Sequence, residues 1–244
     1  MATFVLIAGA GHSAWSWKYV KPLLEQAGHR VLTPDLAGMG ADQTPLEQVS
    51  LKSWAKDVAA LIRAQPEPVI LAGHSRGGAV ISQTAEHVPD RIRALVYISA
   101  VLMPSGKSAA DVVAELGLES KDGFTLRRTA DGLAVVFDTE EMRRCLYNQT
   151  SAERFAEAAA LVKPEPLSGL GGVLDLSDER FGRVPRIYVE CTNDRALTLD
   201  AQRALQKRIP CRKSYPIAAD HSPFFSTPEE LTRVLTDIAA GYAA

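Results

Sequence analysis

Two hydrophobic rhythms alternate along this chain. Residues 3–8 (TFVLIA) form a short apolar run with β-branched and aromatic side chains, which predicts a buried strand ending in the glycine-bearing loop Gly9, Ala10, Gly11. Trp17, Val20, Leu23 and Leu24 then fall at helical spacing and predict a helix over residues 15–26, stopped by Gly28. The same reasoning gives a strand over 29–36, a helix through Trp54, Val58, Leu61 and Ile62, a strand over 68–72, a helix over Gly77–His87 and a strand over 92–103. Later come a strand over 184–191, a helix over Leu199–Arg208 and a strand over 212–217. A closing helix is marked by Thr227 as N-cap, Pro228 at the first helical position and Glu230 completing a capping box, with Leu231, Val234, Leu235 and Ile238 on one face. Strands that alternate with helices in this way build a mostly parallel sheet of about six strands with helices on both faces, an α/β fold.

Residues 105–181 break the rhythm. They hold two or three helical stretches, the clearest starting at Thr150 with Glu153 three positions on and running through Phe155 to Val162 before Pro164. Alternation over 124–137 with Asp131–Gly132 as a turn signal predicts a short hairpin. Because parallel strands resume afterwards, the expected division is a core of residues 1–104 and 182–244 with 105–181 inserted as a mainly helical lid. Asn148, Gln149 and Thr150 also spell a glycosylation sequon, but capping by Thr150 is the preferred reading.

The chemistry concentrates in Gly73-His74-Ser75-Arg76-Gly77-Gly78, directly after an apolar strand and directly before a helix. In that setting G-x-S-x-G forms a nucleophile elbow: the tight turn projects the serine hydroxyl from the sheet edge, and flanking glycines avoid collisions with neighbouring backbone. Ser75 is the candidate nucleophile, against the blander reading of a helix N-cap serine. A hydroxyl needs a base, and of the five histidines His221 stands best placed, in the loop after the last strand. His74 reads as a structural group under the elbow, and His29 and His87 as surface or capping residues. His12, in the loop after the first strand, lacks a visible charged partner.

The acid that holds the base belongs between serine and histidine in chain order. Asp194 follows the strand over 184–191 by a short loop and is favoured; Asp220 is expected to make loop hydrogen bonds, and Asp200 to lie in a helix. Oxyanion donors are expected from the backbone N–H groups of Ala10 and Arg76, with the Arg76 side chain left as a surface or salt-bridge group.

Composition narrows the partners. Lysine plus arginine total 27 against 29 aspartate plus glutamate, a net charge of −2, which gives no electrostatic reason to expect nucleic acid or an anionic membrane. Cys145, Cys191 and Cys211 make no close-spaced metal motif and their odd number argues against a disulfide framework. The expectation is a cytoplasmic protein without metal or cofactor, with a small-molecule partner and a homodimer left open.

These residues resemble the α/β-hydrolase superfamily, and within it the methylesterase and hydroxynitrile lyase family that includes plant methyl salicylate esterases. The likeness rests on GAGHSAWSW at 9–17, GHSRGG at 73–78, LYNQTSAERFAEAAALVKPEPLS at 146–168, VECTNDRALTLDAQ at 189–202 and AADHSPFFSTPEEL at 218–231. It implies Ser75, Asp194 and His221 as a triad, Ala10 and Arg76 as oxyanion donors, and a helical cap over an apolar pocket. By the same resemblance a lyase would carry lysine after the histidine and threonine in the oxyanion loop, where this chain has Ser222 and Gly9. Ala8 stands where many relatives have histidine. The expected activity is hydrolysis of small carboxylic esters through an acyl-enzyme, with carbamates as an extension; a non-catalytic small-molecule receptor and, last, a hydroxynitrile lyase are the alternatives.

Overall fold

The computed structural model describes residues 1–116 and 125–242. In chain order its elements are β1 (Thr3–Ile7), α1 (Val20–Gln26), β2 (Arg30–Leu32), α2 (Leu51–Arg63), β3 (Val69–His74), α3 (Gly77–His87) and β4 (Ile92–Ile98). Then follow α4 (Ala109–Leu116), β5 (Leu126–Arg128), β6 (Ala134–Phe137), α5 (Thr139–Cys145), α6 (Ala152–Ala159), β7 (Glu165–Pro166) and α7 (Leu167–Leu170). The chain closes with β8 (Arg186–Cys191), α8 (Leu199–Arg208), β9 (Lys213–Ile217), α9 (Pro223–Ser226) and α10 (Pro228–Gly241).

Six strands pair in the order β2-β1-β3-β4-β8-β9, every pair parallel. Each strand divides its side chains between two cores, as a period of two requires. Val5, Ile7, Val69 and Leu71 pack with α2 and α3, while Phe4, Leu6, Ile70 and Ala72 pack with α1 and α10. All eight are fully buried, and each apart from the smaller Ala72 contributes on the order of 1.5–3 kcal/mol of hydrophobic stabilisation. Both faces being covered, the sheet offers its carboxyl edge to a ligand. The loops after β1, β3, β8 and β9 lie there.

Several boundaries differ from the periodic reading, each for a local reason. The expected first helix is split into a 3₁₀ turn at Ala14–Trp17 and α1, because Pro22 has no N–H to donate back to Lys18; α1 starts so that Pro22 sits in its first turn, where no partner is needed. β2 stops at Leu32, and β4 stops at Ile98, where Ser99 adopts a left-handed φ of 38°. α10 begins at Pro228 as expected, but the Thr227 hydroxyl makes no capping bond and is buried without a partner.

Between β4 and β8 the inserted segment carries four helices among the described residues and a three-stranded antiparallel sheet, β5-β6-β7. The expected hairpin is present as β5 and β6, with Gly132 at φ 72° in the turn; Phe124, where that reading began, lies outside the described residues. β7 was not anticipated, since a two-residue strand that follows Pro164 and itself contains Pro166 has no periodic signature. The α6 cap also shifts by one: Ser151, not Thr150, accepts from Arg154 N. Thr150 instead donates its hydroxyl and its N–H to Asp220. Among the described residues no helix is long and apolar enough to cross a membrane.

Candidate active site

Ser75 sits at the turn between β3 and α3 with φ 50°, a left-handed conformation that costs a non-glycine residue on the order of 1 kcal/mol. Neighbouring glycines make the turn sterically feasible. A Cβ on Gly73 would lie 2.6 Å from Gly77 O, and one on Gly77 would lie 2.8 Å from Ile7 O. The elbow is pinned from β4 and the loop after it, with Ser75 N donating to Ile98 O at 3.3 Å and Val101 N to Ser75 O at 3.0 Å.

His221 and Asp194 meet at the carboxyl ends of β9 and β8. His221 Nδ1–H donates to Asp194 Oδ2 at 2.6 Å, and both side chains are almost wholly buried. Asp194 Oδ1 accepts from Ala196 N at 2.7 Å and Leu197 N at 2.8 Å, while Ser99 Oγ donates to Oδ2. The end of β4 at Ile98 is thereby explained: the left-handed turn at Ser99 delivers its hydroxyl to the carboxylate. With Nδ1 engaged, Nε2 is the ring atom of His221 left to exchange a proton.

His74 lies beneath this pair. Its Nε2–H donates to the His221 carbonyl at 2.7 Å, its ring centroid is 4.7 Å from that of His221, and burial holds its pKa well below the ordinary histidine value. His12 is also kept neutral, its pKa pushed down to about 4 first by burial and then by the nearby His221 and Arg76, against the opposing effect of its bond to Ala10. Its Nδ1–H donates to Ala10 O at 2.6 Å, and its Nε2 accepts from the Tyr147 hydroxyl of the inserted segment. The missing partner of His12 is thus a tyrosine 135 residues away.

Ala10, Arg76, Ser75 and His221 all line one cavity of about 250 Å³. Its other walls are mostly apolar, with Val101 and Leu197 from the sheet edge and Val113, Leu126, Phe137 and Leu146 from the inserted segment. Four of the five residues expected to carry chemistry therefore line one cavity, and Asp194 is hydrogen-bonded to His221 behind its wall; among the described residues no hydrogen bond joins Ser75 Oγ to His221. Among the described residues, no group of three or more His, Cys, Asp or Glu side chains is arranged to hold a metal.

Of the two expectations for the Arg76 side chain, surface group or salt bridge, the structure shows the salt bridge, and it is buried. Its Nε lies 2.8 Å from Glu165 Oε1, its Nη2 donates to Gly9 O at 2.9 Å, and its guanidinium carbon is 4.4 Å from the centre of the Trp54 ring. Glu165 is fully buried and its second oxygen accepts from Gly11 N at 2.8 Å. Burial raises the Glu165 pKa, opposed by Arg76 and the Gly11 N–H. Sequence reasoning missed Glu165, Ser99 and Tyr147, since nothing local announces a partner 89 or more positions away. Asp220 makes the expected loop bonds to Ser222 N and Ser226 Oγ, and additionally reaches Gln149 N, Thr150 N and Thr150 Oγ1.

A family profile described as the alpha/beta hydrolase family matches residues 4–234. The chain belongs to that family. Among its relatives, Methylesterase 7 of Arabidopsis thaliana is 34% identical over 98% of this chain and 97% of its own length. The crystal structure of polyneuridine aldehyde esterase covers 98% of this chain and 99% of that one at a TM-score of 0.86 and 27% identity. A pyrethroid hydrolase from Sphingobium faniae superposes with a TM-score of 0.85 and 28% identity, covering 99% of this chain and 98% of that one. This α/β hydrolase is thus similar over nearly its full length to plant methylesterases, as the five sequence motifs imply.

Proposed function

We propose that this α/β hydrolase is a serine esterase that cleaves small uncharged carboxylic esters through Ser75, His221 and Asp194, with residues 105–181 as its cap. The observation that carries the reading is the buried 2.6 Å bond from His221 Nδ1 to Asp194 Oδ2, on the same cavity as the strained Ser75. In this scheme Ser75 Oγ attacks the ester carbonyl while its proton passes to His221 Nε2. The oxyanion accepts from the N–H groups of Ala10 and Arg76, and the imidazolium formed is stabilised through Nδ1 by Asp194. His221 then gives its proton to the departing alkoxide. A water molecule, deprotonated by the now neutral His221, attacks the acyl-enzyme carbonyl, and collapse releases the carboxylic acid and restores Ser75.

Substrate size and polarity follow from the walls. A cavity of about 250 Å³ faced by Val113, Leu126, Phe137 and Leu197 suits an ester with a small alkyl or aromatic portion, and carbamates are an extension. The names of the methylesterase and esterase relatives support the same class. Cyanohydrin cleavage is disfavoured. Ser222 supplies no positive charge for departing cyanide, and any side chain at position 9 would meet His74 Nδ1 at 2.6 Å.

The test is turnover of p-nitrophenyl acetate or butyrate by the wild type and by Ser75→Ala. We expect turnover that is lost in the variant; equal rates in the two proteins overturn the assignment. Labelling of Ser75 by a fluorophosphonate separates the enzyme from a receptor on the same scaffold, which would bind ligand without labelling or repeated turnover.

A further inference from the structure

The turn that carries Ala10 is held by an ion pair whose members come from the elbow and from the inserted segment. Arg76 Nη2 donates to Gly9 O at 2.9 Å, and Glu165 Oε2 accepts from Gly11 N at 2.8 Å. Arg76 Nε and Glu165 Oε1 face each other at 2.8 Å, so one pair grips the turn on both sides of Ala10. The intervening carbonyl, Ala10 O, accepts from His12 Nδ1 at 2.6 Å.

This placement matters because a peptide group is rigid. Gly9 O and the Ala10 N–H belong to the same trans peptide and point in opposite directions, so anchoring the carbonyl oxygen fixes where the N–H aims. Gly11 N and Ala10 O share the next peptide, which is fixed at both ends. A cation donating to Gly9 O also polarises that peptide and strengthens its N–H as a donor. Ala10 itself lines the cavity with Ser75 and His221.

We infer that the buried Arg76–Glu165 pair is a positioning device for the reaction, aiming the Ala10 N–H at the oxyanion of the transition state. The inference rests on the esterase reading. It gives Arg76 two separable duties, a backbone donor and a side chain that orients the other donor. It also gives the inserted segment a part in the chemistry, through Glu165, beyond walling the cavity.

A merely structural role makes a different forecast. A buried pair replaced by apolar side chains of similar bulk is often neutral or better for stability. Packing at this site, against Trp54 and under the turn, can therefore be kept while the grip on Gly9 and Gly11 is removed.

The experiment compares wild type, Glu165→Gln and the double variant Arg76→Leu/Glu165→Leu on p-nitrophenyl butyrate. It also records thermal midpoints and the inhibition constant of an aryl trifluoromethyl ketone, which forms an oxyanion adduct with an active-site serine. Deleting an oxyanion donor costs about 10²–10³ in turnover, so a donor left in place but poorly aimed is expected to cost about 10- to 100-fold in kcat. We expect that loss in the double variant with KM within about threefold, a midpoint lowered by the unpaired Gly11 N and by the lost Arg76 bond to Gly9 O but still well above the assay temperature, and trifluoromethyl ketone binding weakened by a factor similar to the loss in kcat/KM. Glu165→Gln keeps an acceptor for Gly11 N and should recover part of the loss.

Three results overturn the inference: a double variant with unchanged kcat, a loss confined to KM, or a kcat loss with trifluoromethyl ketone binding unaltered. If the double variant does not fold, Glu165→Gln decides on the same two readouts, a fall in kcat matched by weaker ketone binding supporting the inference and wild-type values overturning it. Absence of Ser75-dependent turnover in the wild type removes the esterase reading and this inference with it; Ser75-dependent turnover with insensitive variants removes the inference alone.

Discussion

The sheet with its elbow and the inserted segment between β4 and β8 meet at one cavity but are specified differently. In the sheet, short-range rules decide: apolar runs make strands buried on both faces, and glycines at 73 and 77 admit the turn that Ser75 needs. In the inserted segment the local signals are weaker, and long-range polar contacts fix its position. Asp220 receives Gln149 and Thr150, His12 receives Tyr147, and Arg76 with Gly11 receives Glu165. A region built by local rules tolerates loss of one polar contact, whereas one docked by buried acceptors depends on each of them.

Two aspartates expose the contrast most sharply, since both are buried and both collect several donors. Asp194→Asn retains an oxygen acceptor but no longer holds the His221 tautomer, so kcat on a p-nitrophenyl ester should fall on the order of 10³–10⁴-fold while the fold persists. Stopped assays at high enzyme concentration measure this, and a variant within tenfold of wild type would remove Asp194 from the mechanism. Asp220→Ala should do the opposite. It removes an acceptor from five donors and strands three of them, Gln149 N, Thr150 Oγ1 and Ser222 N, since Thr150 N also reaches Tyr147 O and Ser226 Oγ also reaches Ser222 O; the expected cost is about 3 kcal/mol of stability by urea titration, with kcat of the folded fraction changed far less. Equal stability of the two proteins would show that the inserted segment does not depend on this latch.

Proton uptake offers a third probe. His12 stays neutral in the fold down to about pH 4, whereas in the unfolded chain it takes a proton near 6.5, and His74 is shifted in the same direction. Between those values the unfolded state binds more protons, so stability falls as pH drops from about 6.5 and levels off below about 4. At ~1.4 kcal/mol per pH unit, His12 alone should remove about 2 kcal/mol between pH 7 and pH 5. Urea midpoints at the two pH values measure the loss, and His12→Gln should show a shallower dependence. An identical slope in that variant would mean that the contact with Tyr147 does not require a neutral imidazole.

The same division explains what could be read from the chain. α3 and α8 have the expected bounds because glycine and threonine signals at their starts act over three or four residues. The placement of Ser75 and His221 on one cavity, with Asp194 bonded to His221, was legible because the elbow fixes the sheet edge and strand order then places the later loops. Ser99 was not legible: an apolar run continuing to Met103 hides the turn that carries its hydroxyl to Asp194. Glu165 lies between two prolines in a segment without periodicity, and its charge acquires meaning only when Arg76 and the Gly9–Gly11 turn are close in space. Polar groups whose partners are remote in sequence leave no local trace.

The smallest effect concerns two helix caps that look alike in sequence. Thr227 precedes Pro228 with Glu230 three residues on, the spacing of a capping box, and Ser151 precedes α6 with Arg154 three residues on. Only the second forms a capping bond, from Arg154 N to Ser151 Oγ at 3.2 Å; Thr227 Oγ1 is buried with no partner. Removing a functional cap costs about 1 kcal/mol, so Ser151→Ala should lower stability by that amount. Thr227→Ala deletes a hydroxyl that gains nothing from the helix and is desolvated, and should be neutral or stabilise by a few tenths of a kcal/mol. Urea titration of the two variants side by side decides the matter: a loss near 1 kcal/mol in Thr227→Ala would mean that the threonine turns in solution to cap α10, restoring the sequence reading at that end of the chain.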